Sequence, residues 1–235
     1  MENNKDPQNN SCGCGGVMRT APLAILDYLH GYADGEYEYC DMVAAEAARI
    51  THKHPLGFLP SAVLNDILMQ IFDGEIDRGT SLSDIVHNAI KRLPSIKSET
   101  DKDRTYGELW PDEVATLRRL LKYAMELTVR DIPDHVAIEK IGGGWTGHEA
   151  LAIAIYSAVK HSNSFENAIV SSVNHSGPCL SASTAAFCNG LNMPESIWLF
   201  TLRIWAITSE AAATMPIRQP AMLWALLKEL SSRQQ

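Results

Sequence analysis

The 235-residue sequence contains no apolar run of 18 or more residues, no Cys-x-x-Cys pair and no long alternation of apolar and polar residues. The first absence removes the sequence signature of a membrane-spanning helix. The second removes the usual redox and zinc frameworks. Cys12, Cys14, Cys40, Cys179 and Cys188 are odd in number and irregular in spacing, and they read as reduced thiols of a cytoplasmic protein. The third leaves no convincing strand. Basic residues are also in deficit, 20 against 28 acidic ones, for a formal net charge of -8 and a pI near 5.5. That balance opposes direct binding to nucleic acid or an anionic membrane and favours a basic partner surface. The opening Met1-Glu2-Asn3-Asn4-Lys5-Asp6 is too polar for an export signal.

What is present is an ordinary globular composition, 46% hydrophobic and 20% charged, of a length that fits one domain. Helical spacing predicts helices over 22–31, 40–51, 60–73, 111–130 and 164–173, and another opening at Pro194-Glu195. Ser81 and Asp84 have the spacing of a capping-box variant and start a helix that runs to about Leu93. The fold class expected is all-α, a single compact multi-helix domain over residues 1–235. Residues 1–10 are expected to be flexible and 94–108 to form a charged surface loop. Three of the five tryptophans lie beyond residue 190, where core or partner packing accounts for them best.

The stretch from Gly142 to Gly190 is the organising one. Gly142-Gly143-Gly144-Trp145 leads into Thr146-Gly147-His148-Glu149 and an almost wholly apolar run, Ala150 to Val159. A helix with so little polar face belongs at the centre of a helical domain. Near the start, Ser11-Cys12-Gly13-Cys14-Gly15-Gly16 precedes a helix expected to begin near Met18 or Pro22. Its backbone N–H groups suit a nest for a phosphate or a sugar diphosphate, and a simple flexible turn is the plain alternative. His52 and His54 sit at a helix end before Pro55, in reach of a structural, substrate-stacking or metal role.

Three segments together resemble the ADP-ribosylglycohydrolase family. Asn10 to Pro22 is similar to its Ser-x-Gly-x-Gly-x-x-Met-Arg-x-x-Pro segment, and Thr51-His52-Lys53-His54-Pro55 to its Thr-His-x-His-Pro. Gly142 to Leu151, followed by Asn174-His175-Ser176-Gly177, is similar to its glycine-tryptophan helix and the Asn-His-x-Gly that leads into a metal loop. The resemblance implies an all-helical fold and hydrolysis of the bond between ADP-ribose and a modified side chain or nucleotide. It makes Ser11, Gly13, Gly15, Gly16, His52, His54, Gly143, Gly144, Asn174 and Gly177 candidates for ligand binding. Glu149 and His52 are its candidates for catalysis.

In that family two Mg²⁺ ions rest between a Thr-Asp-Asp cluster and a C-terminal Gly-Asp-x-Asp. The chain has nine residues before Asn10 and no Thr-Asp-Asp, and Pro178 and Leu180 stand at the two aspartate positions. No acidic residue occurs from Ser171 to Pro194 or from Pro7 to Leu26. Magnesium needs hard oxygen ligands, so no metal ligand and no cofactor is assigned. The function this implies is that of a catalytically degenerate relative acting by binding, an immunity or antitoxin protein that occludes a basic ADP-ribosyltransferase toxin domain, with ADP-ribose as a second ligand. The alternative is an active hydrolase that removes ADP-ribose from a modified protein or nucleic acid, using His52, His54, His148 or His175 with Glu149, or completing its site with another chain.

Overall fold

The computed structural model describes residues 10–29, 37–99 and 101–174. Among them the secondary structure is helical, with two isolated backbone bridges and no strand. In chain order the helices are α1 (Gly15–Met18), α2 (Ala21–Leu29), α3 (Tyr37–Arg49), α4 (Pro55–Phe72), α5 (Leu82–Arg92) and, after a 3-10 turn at Leu93–Ser95, α6 (Tyr106–Leu109). There follow α7 (Pro111–Thr128), α8 (Asp134–Ile141), α9 (Gly147–Lys160) and α10 (Phe165–Val173). The helix expected from Pro194, the tryptophans beyond it, and His175, Gly177, Pro178 and Leu180 lie outside the described residues.

The centre of the fold is α4. Every residue from Gly57 to Ile71 is buried, and the helix packs against α1, α2, α3, α5, α7 and α9. By length and composition it would also pass for a membrane span, but 83% of it is buried inside the fold, as in a core helix. The sequence reading starts this helix at Pro60 and places the central role on α9 alone. The structure starts it at Pro55, whose fixed φ suits a first helical turn, and carries Pro60 inside. Pro60 forfeits the N–H that would bond the Leu56 carbonyl. That oxygen instead lies against α9, where a Cβ at Gly147 would be 2.9 Å from it.

The buried stripe of α9, Ala150 to Ala158, packs against α4, α7, α8 and α10. The Ser81 hydroxyl caps α5 by accepting from the Asp84 N–H at 3.1 Å, as the spacing predicts. Two elements go beyond the sequence reading. Helix α8 is not foreseen. Within 94–108 the charged side chains do face solvent, yet Ile96, Ser98 and Tyr106 are buried, and α6 closes the segment. A bond from the Tyr106 N–H to the Ile96 carbonyl (2.8 Å) and one from the Ser98 N–H to the Arg104 carbonyl (3.1 Å) staple its ends together.

Buried polar groups join the layers. Asn65 on α4 donates to Asp41 on α3 at 3.2 Å. Arg92 on α5 grips both oxygens of Asp66 on α4, with Nε 2.9 Å from Oδ2, and Gln70 adds a bond to Oδ1 at 3.1 Å. At the far end, Asp134 on α8 accepts from Tyr156 (2.9 Å), Lys160 (3.0 Å) and His161 (2.8 Å), which ties α8 to the last turn of α9.

Candidate functional site

The glycine segment and the Gly142–Gly147 loop meet directly. The Cys14 N–H donates to the Trp145 carbonyl (3.0 Å), and the Gly147 N–H donates to the Cys12 carbonyl (2.8 Å), with Gly13 opposite Thr146 in an isolated bridge. From the third side, the His54 N–H donates to the Ser11 carbonyl at 3.3 Å. Three separate stretches, 11–16, 52–57 and 142–149, therefore form one cluster at the N-terminal ends of α4 and α9.

Small residues make that convergence feasible. A Cβ at Gly16 would lie 2.5 Å from the Gly57 carbonyl oxygen, and one at Gly57 would lie 2.7 Å from that of Ser11. Those distances are shorter than a side chain tolerates, so α1, α4 and α9 approach one another through backbone alone. In the adjoining loop, Gly142 and Gly144 take φ of 151° and 75°, which L side chains rarely adopt. Gly143 packs under the indole, where a Cβ would be 3.0 Å from Trp145 Cδ1.

The individual side chains have defined duties. The Ser11 hydroxyl accepts from the Gly13 N–H (3.2 Å), and Gly15 and Gly16 are the first residues of α1 rather than free loop. The glycine segment is thus less open than the nest its composition suggests, because the Gly13 and Cys14 N–H groups are already bonded. The His52 ring packs beneath it: a Cβ at Gly13 would lie 3.5 Å from Nε2, and Nδ1 is 2.8 Å from the Thr51 hydroxyl. His54 is the N-cap of α4, its Nδ1 accepting from the Leu56 N–H at 3.1 Å. Asn174 stands apart, exposed at the C-terminal end of α10, with its N–H on the Val170 carbonyl.

The cluster holds one carboxylate, Glu149, and it faces its own helix. It holds the third position of a capping-box pattern that opens at Thr146, with its Oε2 3.5 Å from the Thr146 nitrogen, the long limit of a hydrogen bond, while the Thr146 hydroxyl is buried without a partner among the described residues. Beside it, His148 is held below its usual pKa, chiefly by burial and further by His54, while the Glu149 charge acts in the opposite sense. Its imidazole is therefore neutral at physiological pH. Among the described residues no three His, Cys, Asp or Glu side chains stand together as metal ligands. The donors gathered here, hydroxyls, imidazoles and a capping carboxylate, do not match the oxygen-rich octahedron magnesium demands.

Trp145 is the residue that sequence reasoning passed over. Its indole is 69% exposed although its backbone is fixed by the Cys14 bond. The signal was present in the sequence, since a tryptophan between a glycine triplet and a helix cap has no apolar periodicity to draw it inside.

The comparisons with known proteins bear on this arrangement. No curated protein and no solved structure matches the chain. The model of the ADP-ribosylglycohydrolase family does match, over residues 1–191, which takes in all three segments of the cluster and every described helix. On that match and this helical architecture, the chain belongs to the ADP-ribosylglycohydrolase family.

Proposed function

We propose that this chain is a binding protein, a family member without metal-dependent turnover that occludes a basic ADP-ribosyltransferase toxin domain as its immunity partner in the cytoplasm. The observation that carries the reading is the state of the cluster's one carboxylate: Glu149 stands at the start of α9 with its Oε2 3.5 Å from the Thr146 nitrogen, and among the described residues no acidic or imidazole pair joins it as a metal site. The sequence supports it, because Pro178 and Leu180 stand where the family places aspartates. Neither side chain supplies an oxygen to a cation, and water activation by a metal pair needs both ions seated.

Trp145 gives the binding reading its anchor. A large aromatic ring held out on a braced loop loses little conformational freedom on docking, and such residues dominate interface energetics. Around it the Ser11 hydroxyl and the two histidines supply polar rim groups, and ADP-ribose is the small ligand that would share them. The acidic surface would steer a basic partner and fix its orientation.

Co-expression with the cognate toxin, followed by pull-down and titration, tests the proposal. The expected result is a stoichiometric complex of about nanomolar affinity. Trp145→Ala should weaken it by about 2 kcal/mol, a loss near thirty-fold, while Glu149→Gln leaves it intact. Mg²⁺-dependent release of ADP-ribose from a modified substrate, abolished by Glu149→Gln, would sink this reading and install the active hydrolase in its place.

A further inference from the structure

The outer face of α7 lies beside the 142–149 end of the glycine cluster, and its charge runs against that of the chain. Arg118, Arg119 and Lys122 lie on one side of the helix, spaced so that like charges three and four residues apart repel. None of the three makes an ion pair or a hydrogen bond among the described residues, and the Nε of Arg118 is buried with no partner. Two carboxylates share this face: Glu126 lies 3.9 Å from Arg130 in an exposed pair, and Glu149 stands at the start of α9.

These cations border two clefts that share Arg119 and Tyr123. One, of about 370 Å³, lies between α7 and the start of α9 and is lined besides by Thr116, His148 and the carboxylate Glu149. The other, of about 510 Å³, runs along α7 past Arg118, Lys122 and the carboxylate Glu126. Cations still outnumber carboxylates in the lining, Arg118, Arg119 and Lys122 against Glu126 and Glu149, and the Thr116 and Tyr123 hydroxyls add donors. Concavities of this size suit a small multiply charged anion better than a flat protein surface.

We propose that this face of α7 binds phosphate groups, with Arg119 and Lys122 supplying the charge and Arg118 the inner donor. Like charges three and four residues apart repel, and an anion seated among them relieves that repulsion. The site does not depend on the toxin-occlusion reading, since Trp145 is not asked to contact this ligand.

Calorimetric titration with inorganic pyrophosphate, and anisotropy with a labelled single-stranded oligonucleotide, form the test. Pyrophosphate should bind the wild-type chain and weaken by about ten-fold or more in Arg119→Glu/Lys122→Glu. Both positions are exposed, so the double variant should fold, with a melt no lower than that of the wild type. Lys91→Glu, exposed on α5 and outside both clefts, should leave binding unchanged. Pyrophosphate binding that an oligonucleotide competes away assigns the phosphates to a nucleic-acid backbone; binding without competition assigns them to a small phosphorylated ligand. Absence of pyrophosphate binding by the wild type, an unaltered affinity in the double variant, or an equal loss in Lys91→Glu would overturn the proposal.

Discussion

Asp41 shows how one buried atom sets a pH dependence. Its carboxyl is 1% exposed and takes one bond, from Asn65 Nδ2, which leaves Asp41 Oδ2 and Asn65 Oδ1 both buried without partners. Burial first, and then the charges of Asp66 and Asp27, raise its pKa well above the ordinary 3.8, against the pull of Asn65 and Arg92. A raised pKa means that the folded chain keeps a proton the unfolded chain has released. The contribution of this group to stability is therefore greatest at low pH and falls as pH rises from the unfolded value toward the folded one. Asp41→Asn keeps the acceptor for Asn65 and adds the N–H that Asn65 Oδ1 lacks. It should stabilise the fold by about 1 kcal/mol or more at neutral pH. Urea melts of both chains from pH ~4, near the unfolded value, to pH ~8 should show a gap that widens with pH. A constant or inverted gap would mean that Asp41 is not the titrating group.

At the scale of elements, glycine contacts decide how closely α4 approaches the 11–16 segment. Gly57→Ala places a methyl 2.7 Å from the Ser11 carbonyl oxygen and 3.1 Å from Cys12 Cα, both backbone atoms that cannot swing away. Overpacking of that kind costs about 1–3 kcal/mol, against a gain of about 1 kcal/mol in helix propensity. The variant should lower the melting temperature and leave helix content unchanged by circular dichroism. A second junction responds to acid. Asp134 is held down to about 2 by bonds from Lys160, His161, Tyr156 and Ser171 that outweigh its partial burial. A depressed carboxylate stabilises the fold above its unfolded pKa, and that contribution is lost as pH falls through the folded value. Asp134→Asn should accordingly weaken the α8–α9 junction by about 1–3 kcal/mol at neutral pH and by little at pH ~2, read from thermal melts. These junctions also mark what the sequence makes legible. The cap at Ser81, the apolar stripe of α9 and the spacing on α7 are local patterns, and each reads directly as a helix. Helix α8 offers only Ala137, Ile138 and Ile141 to the core, too few repeats for a period to stand out. The start of α4 was hidden because Pro55 reads as a stop for the preceding helix while also serving as the first residue of the next one. The candidate site was legible as three motifs in order. Their junction was not, because the approach of Gly16 to Gly57 and of Gly147 to Leu56 joins residues far apart in the chain.

For the molecule as a whole, net charge and local charge have opposite signs, and one variant separates them. The chain carries a formal -8, a field that draws a basic partner from any direction and weakens as salt shortens its range. The α7 face is a basic island in that field, attractive to phosphate and repulsive to a basic toxin. Arg119→Glu/Lys122→Glu should therefore weaken phosphate binding and, by making the chain still more acidic, speed association with the basic partner. Stopped-flow association at about 0.05 M and about 0.5 M salt, which shortens the Debye length several-fold, is the measurement. The wild-type rate should fall by about ten-fold across that range, and the double variant should be faster at low salt and equal at high salt. A slower rate in the double variant would place α7 inside the partner interface. Trp145→Ala should leave the association rate nearly untouched and raise the dissociation rate, because a buried anchor acts after encounter.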